Sequence, residues 1–244
     1  MADLSNSQIN KLGNRLRVYP HSDQDLQLLD EFRNSYSQTF DAVRRILQRR
    51  SVEPVARNIK STLSIVAKLR RQPNLNLSQI QDIAGCRIIV PNIARQDEEV
   101  KDLRVDFPEA HVKDRRLVPS HGYRAVHVIA RVDQKSFEIQ VRTLLQQQWA
   151  ELSEKASDII DPEIKYGGHG RGFQIPLTVI SRQIAEHESE ETTLLETCSV
   201  PDWAHITRAM DDERREKLTQ LRVIIETQVR GLTSVLDDLK RTGQ

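Results

Sequence analysis

Cysteine is nearly absent from this chain. Its 244 residues contain only Cys86 and Cys198, far apart and in no CxxC or Cys/His cluster, which argues against a disulfide framework and a structural zinc site. Long apolar runs are also missing. No stretch of about 18 apolar residues is present to span a bilayer, and the opening MADLSNSQINKLGNRLRV lacks the basic-then-apolar layout of a secretion signal. A cytoplasmic location with no membrane partner is expected. Charge of one sign is not in excess either, with 36 Lys and Arg against 35 Asp and Glu and a net charge of +1. Any contact with nucleotide or nucleic acid must therefore come from a local basic cluster. Of only nine glycines, four fall in YGGHGRG at 166–172. That concentration predicts a flexible loop around an exposed His169, able to close over a substrate as a lid. The two tryptophans, Trp149 and Trp203, are expected to pack in the core.

What is present is enough for a core, at 38% hydrophobic residues. Apolar spacing near three and four predicts helices over 5–17 and 23–50, and Pro54 breaks the pattern. A helix is expected over 57–71, ending at Gln72-Pro73. The period then changes. Strands are predicted at 86–90, 126–132 and 136–142, the last two joined by a tight turn around Asp133-Gln134-Lys135, with a helix over 94–106. Residues 51–160 thus read as an α/β (α+β) mixed sheet flanked by helices. Two long helices, 174–197 and 202–241, should follow. The second carries an apolar stripe that would pack back on the sheet domain or pair with another copy in a homo-oligomer. The expected division is an N-terminal helical region (1–50), a central domain (51–168) and a C-terminal helical extension (169–244).

Four segments carry chemistry. In FEIQVRT (137–143), Glu138, Gln140 and Arg142 share one face of a strand while Phe137, Ile139 and Val141 point to the core. A solvated sheet face would read the same way, but its polar residues here are a carboxylate, an amide and a guanidinium. On the predicted helix, Lys60, Ser64 and Lys68 are spaced by four, with Arg57 a turn before and Arg71 after. That stripe describes a polyphosphate cradle, or else a merely basic surface. Asp82 sits at the entry to the first strand, where a sheet could bring it to Glu138 as a pair of ligands for a hard divalent ion such as magnesium. Lys113-Asp114 leads through Arg115-Arg116 to His121-Gly122-Tyr123, a basic turn ending in an aromatic able to stack on a base.

The ordered motifs KSTLSIVAKLRR, QDIAGCRIIV, HVKD, HGYRAVH and FEIQVRT, followed by Trp149-Ala150-Glu151, resemble the RelA/SpoT-type synthetase domain of the (p)ppGpp, or alarmone, synthetases. The resemblance runs over about 51–168. It implies a nucleotidyltransferase-like fold that moves the β,γ-pyrophosphate of ATP to the 3′-hydroxyl of a guanine nucleotide, with Mg2+. It further implies that Lys60, Ser64 and Lys68 bind the ATP phosphates, that Arg57 and Arg87 flank the adenine, and that Asp82 and Glu138 lie at the metal, with Glu138 as base. Tyr123 would stack on the acceptor base, with Lys113, His127, Gln140, Arg142 and Gln147 completing the acceptor pocket.

Three positions depart from that pattern. Two residues separate Arg57 and Lys60 where many members have one. Pro119-Ser120 stands where a Pro-Lys pair is usual, in a loop one residue short. Gln147 replaces a frequent Asn. The missing lysine, beside the basic pairs Arg44-Arg45, Arg49-Arg50, Arg70-Arg71 and Arg115-Arg116, keeps open a toxic branch of similar enzymes. These pyrophosphorylate the tRNA 3′-end or adenine nucleotides and are held by an antitoxin. A binding module with decayed chemistry is the other alternative. No His-Asp dipeptide occurs and about 50 residues precede the motifs, so synthesis without hydrolysis is expected.

Overall fold

The computed structural model describes residues 4–50, 52–168, 172–197 and 206–242. The first helices follow from capping as well as from apolar spacing. Ser5 caps α1 (Asn6–Leu16), accepting from the Gln8 N–H while the Gln8 side chain accepts from the Ser5 N–H. Ser22 caps α2 (Asp23–Asn34). The single helix expected over 23–50 is in fact two, because Ser35 divides α2 from α3 (Tyr36–Gln48). The Ser35 hydroxyl donates to the Phe32 carbonyl at 2.7 Å and its own carbonyl accepts from Lys135 Nζ at 3.2 Å. Both interactions compete with the helical ladder at that point.

The helix expected from residue 57 begins five residues later, as α4 (Thr62–Arg71), capped by Ser61. Residues before it have found a sheet partner instead. Strand β1 (Val55–Ala56) pairs antiparallel with β2 (Gly85–Val90), Val55 opposite Arg87 and Ala56 opposite Cys86. The N–H groups of Arg57 and Lys60 continue along the same edge to the carbonyls of Gly85 and Ile83, at 3.1 and 2.8 Å. Helix α5 (Ile93–Asp106) lies where the sequence predicts one. Lys113-Asp114 belongs to strand β3 (His111–Asp114) rather than to a basic turn. Strands β4 (Val126–Val132) and β5 (Lys135–Thr143) are joined through Asp133 and Gln134, whose φ values of 49° and 63° are the left-handed pair a tight hairpin needs. Thr143 then caps α6 (Leu144–Ile159). A 3₁₀ turn (Pro162–Tyr166), α7 (Gln174–Thr197) and α8 (Ile206–Thr242) complete the described chain.

The five strands form one mixed sheet in the order β1-β2-β5-β4-β3, flanked by helices. The chain divides into two compact units. One holds the described residues up to Ile88 together with Val100–Lys113 and His127–Gln140; α1, α2 and α4 bury Leu12, Leu16, Leu29, Ile65 and Leu69 there. The other holds Ile89–Glu99, Asp114–Val126 and the described residues from Val141 onward. Its core gathers Leu152, Ala156, Leu177, Ile184, Ile225 and Leu236 from α6, α7 and α8. The apolar stripe of α8 is thus largely covered within its own unit. No described helix is long and apolar enough to cross a membrane. His169, the centre of the expected lid loop, Cys198 and Trp203 lie outside the described residues.

Candidate active site

The antiparallel run of 55–60 along 83–87 decides where the charged side chains of the first unit meet. Asp82 stands just before β2. Lys60, from the extended edge, and Lys68, from α4, both reach it: Nζ to Oδ2 at 3.0 Å and Nζ to Oδ1 at 2.8 Å. Burial would raise the Asp82 carboxyl, but the two ammonium groups outweigh it and hold the carboxyl below its ordinary value. The expected stripe of Lys60, Ser64 and Lys68 on one helix is corrected here, since Lys60 precedes the cap. The two lysines converge nonetheless on Asp82, whose one negative charge offsets half of theirs. Ser64 is exposed in the first turn of α4, its hydroxyl 2.9 Å from that of Ser61.

The second carboxylate lies on β5. Glu138 is 7% exposed and Gln140 5%, so this face of the strand is not solvated. Arg57 donates to Glu138 Oε2 at 2.5 Å and Gln140 Nε2 to the same oxygen at 2.7 Å, while His127 Nδ1 from β4 lies 3.0 Å from Oε1. Burial would raise this carboxyl as well. The hydrogen bond and charge of His127, then Arg57 and Gln140, pull it well below the usual carboxylate range. The close approach of backbones fixes the geometry. Glu138 N–H donates to the Ala84 carbonyl at 3.2 Å, and a Cβ at Gly85 would stand 2.4 Å from the Glu138 carbonyl oxygen. Only glycine lets the start of β2, three residues after Asp82, pass so near β5 at Glu138. Each carboxylate has its own cations in this structure, Lys60 and Lys68 at Asp82 and Arg57, with His127, at Glu138. Arg87 is half-buried on β2, and Lys113 donates from β3 to Gln81 Oε1 at 2.6 Å. Gln81 heads the QDIAGCRIIV motif without being a site candidate in the sequence, where only its place beside Asp82 signals it. Cys86, buried on β2, has its thiol pushed up to about 12 by burial, which leaves it unreactive.

A separate cluster lies in the second unit. Arg142, 2% exposed, donates to Gln147 Oε1 at 2.8 Å and to the Tyr123 hydroxyl at 2.9 Å. Its guanidinium carbon lies 5.1 Å from the Tyr123 ring centroid. The basic pairs are mostly engaged within the chain. Arg44 pairs with Glu53, Arg50 with Asp102 and Asp106, Arg116 with Asp97 and Asp114, and Arg70 donates to the Arg17 carbonyl. A cavity of about 660 Å3 against α1, the α2–α3 junction and the β4–β5 turn contains none of these candidate residues.

A five-stranded mixed sheet flanked by helices makes this an α/β protein. Residues 57–158 match the sequence profile described as a region found in RelA / SpoT proteins, so the chain carries a RelA/SpoT-type region there. It is 39% identical over 137 residues to the uncharacterized protein Rv1366 of Mycobacterium tuberculosis, covering 54% of this chain and 49% of that one. To the GTP pyrophosphokinase YwaC of Bacillus subtilis it is 35% identical over 127 residues, covering 43% and 57%. The chain thus spans about half the length of the curated relatives it matches. Its fold matches that of small alarmone synthetase 1 from Bacillus subtilis, solved alone (TM-score 0.51, 21% identity, 72% of this chain and 97% of that one) and bound to its product pppGpp (TM-score 0.50, 20% identity, 73% and 100%).

Proposed function

We propose that this protein transfers the β,γ-pyrophosphate of ATP to the 3′-hydroxyl of GDP or GTP. The observation that carries this reading is the pair of ion-pair clusters, Asp82 between Lys60 and Lys68 and Glu138 between Arg57 and His127. A triphosphate offers the lysines a stronger partner than one carboxylate, and they need only rotate from Asp82 to take it. Ser64, exposed in the first turn of α4, is placed to donate its hydroxyl to the same phosphates, with Arg57 and Arg87 serving the adenine.

The donor set left behind consists of oxygen atoms of two carboxylates, which fits Mg2+, an ion that takes one or two carboxylates plus substrate phosphate oxygens. Substrate phosphate oxygens and water would complete the shell of such an ion. When bound, the ion would supply charge neutralisation at the phosphates, with Asp82 and Glu138 as its holders.

The chain's own residues do the rest. The 3′-oxygen attacks the β-phosphorus, the bond from that phosphorus to the bridging α–β oxygen breaks, and AMP leaves with its charge met by Lys60 and Lys68. Glu138, ionised at neutral pH, orients the hydroxyl and accepts its proton, with His127 at its other oxygen. Its lowered affinity for protons makes it a modest base, and phosphoryl transfer asks for little more. For the acceptor, Tyr123 offers a ring to stack on the base, and Arg142, itself held by Gln147, braces that ring, while Lys113, His127 and Gln140 are proposed as further polar contacts. The name of the relative YwaC supports a guanine acceptor. Synthesis without hydrolysis belongs to the same proposal.

The test is a transfer assay with ATP labelled in its β- and γ-phosphates, offered GDP, GTP, ATP and deacylated tRNA in parallel. Label is expected on the guanine nucleotides, and Glu138→Gln should lower kcat on the order of 10²–10⁴-fold. Label on tRNA or on ATP alone would assign a different acceptor, and binding without transfer to any of the four would leave a nucleotide-binding module.

A further inference from the structure

The turn that carries Tyr123 is held from outside the family-matched region. Ser120 and Tyr123 exchange backbone hydrogen bonds, Ser120 N–H to the Tyr123 carbonyl at 3.3 Å and Tyr123 N–H to the Ser120 carbonyl at 2.9 Å. The two residues between them, His121 and Gly122, are both left-handed, with φ of 54° and 91°. A left-handed histidine is disfavoured and persists only where its surroundings hold it. Here the holding groups come from α7. Gln174 Nε2 donates to the His121 carbonyl at 3.1 Å, and Ser181 Oγ donates to the Gly122 carbonyl at 2.6 Å. Ser181 is 3% exposed and its one hydroxyl also accepts from Arg124 Nε at 3.1 Å, so it ties together the residues on both sides of Tyr123.

Two packing contacts leave the turn no other place. A Cβ at Gly122 would stand 2.7 Å from Trp149 Cζ2, and one at Gly167 would stand 2.4 Å from His121 Nδ1. Trp149 in turn donates from Nε1 to the Leu177 carbonyl at 2.7 Å. Gln174, Leu177 and Ser181 recur at the three-and-four spacing of one helical face. The matched region ends at residue 158, whereas these three groups lie beyond it.

We infer that Gln174 and Ser181 of α7 are positioning residues for the acceptor base, acting through the His121-Gly122 turn to set the plane and place of the Tyr123 ring. This rests on the proposed function in assigning Tyr123 to the base. The bracket itself rests on geometry alone. Neither residue touches the ion-pair clusters at Asp82 and Glu138, so the effect of losing them belongs to the acceptor and not to ATP.

The experiment uses the full chain in a Trp203→Phe background, where Trp149 is the sole tryptophan and its emission reports the turn it packs against. Gln174→Ala, Ser181→Ala, the double variant and Ser181→Thr are compared in steady-state transfer from ATP to GTP. The double variant is expected to raise the KM for GTP about tenfold, the scale of losing one or two net hydrogen bonds, with the KM for ATP within about twofold and Trp149 emission shifted. Ser181→Thr, which keeps the hydroxyl, is expected to restore GTP affinity. Equal rises in both KM values, or no rise with unchanged emission, would overturn the inference. Should the unsubstituted protein transfer nothing to guanine nucleotides, the proposed function fails by itself. The bracket is then decided by Trp149 emission alone: shifted in both alanine variants if it exists, unchanged if it does not. Gln174, only half-buried, keeps the test open should Ser181→Ala fold poorly.

Discussion

At the scale of single residues, opposing electrostatic effects decide the ionisation of the buried groups. Burial alone would neutralise Asp82 and Glu138, but Lys60, Lys68, Arg57 and His127 win, and both folded-state values lie below the ordinary ones. Such groups contribute stability that is complete above the usual carboxylate range and is lost as pH falls through their lowered values. His187 on α7 works at a different pH. Burial lowers its basicity first, Arg222 adds to this, and Glu226 only partly opposes them. Above about pH 6.5 it is neutral whether folded or not, and stability declines as pH falls below that value, because only the unfolded chain takes the proton readily. Urea unfolding midpoints followed from pH 8 to 3 should fall in two stages. The first, beginning near pH 6.5, should be absent in His187→Gln, and the second, below about pH 4, should be shallower in Asp82→Asn. A single stage unaffected by either substitution would contradict these assignments.

At the scale of elements, β2, β4, β5, their hairpin and most helix starts were legible in the sequence, while β1, β3 and the start of α4 were not. The alternation in FEIQVRT predicts β5 because period two is local and needs no partner to be seen. The start of α4 was missed by five residues. Lys60 has suitable spacing for the helix, yet its N–H finds the Ile83 carbonyl 23 residues away, and Ser61 offers a better cap. The hairpin turn was placed correctly, but its strain was not visible. Asp133 and Gln134 occupy left-handed positions that favour Asn-Gly, and the Gln134 side chain makes only an exposed contact with Arg131. Gln134→Gly is therefore expected to stabilise the protein by about 0.5–1 kcal/mol in denaturant titration, through relief of the left-handed cost. A loss of stability would mean that the side chain has a partner worth more than the strain.

At the scale of the whole molecule, α8 is covered within its unit by α6 and α7. Leu221, Ile225, Val229, Leu232, Leu236 and Leu239 face that core, while Val223, Ile224 and Val235 stay about half exposed. Leu236 is fully buried, so Leu236→Ala should cost about 2–5 kcal/mol, the usual range for a leucine removed from a packed site. The loss is expected as a lowered thermal midpoint. An unchanged midpoint would show that α8 does not pack against α6 and α7 in solution.

The sequence by itself determined the class of sheet, the order of the motifs and the residue types of the candidate site, because period, charge and motif order are properties of neighbouring positions. Only the tertiary structure decided that Asp82 is shared by Lys60 and Lys68, that Glu138 is bound by Arg57 and His127, and that Ser181 reaches back to Gly122. Those contacts join residues 11 to 81 positions apart. Which of many distant partners a charged or hydroxyl group meets depends on strand pairing and helix packing, which no local pattern encodes.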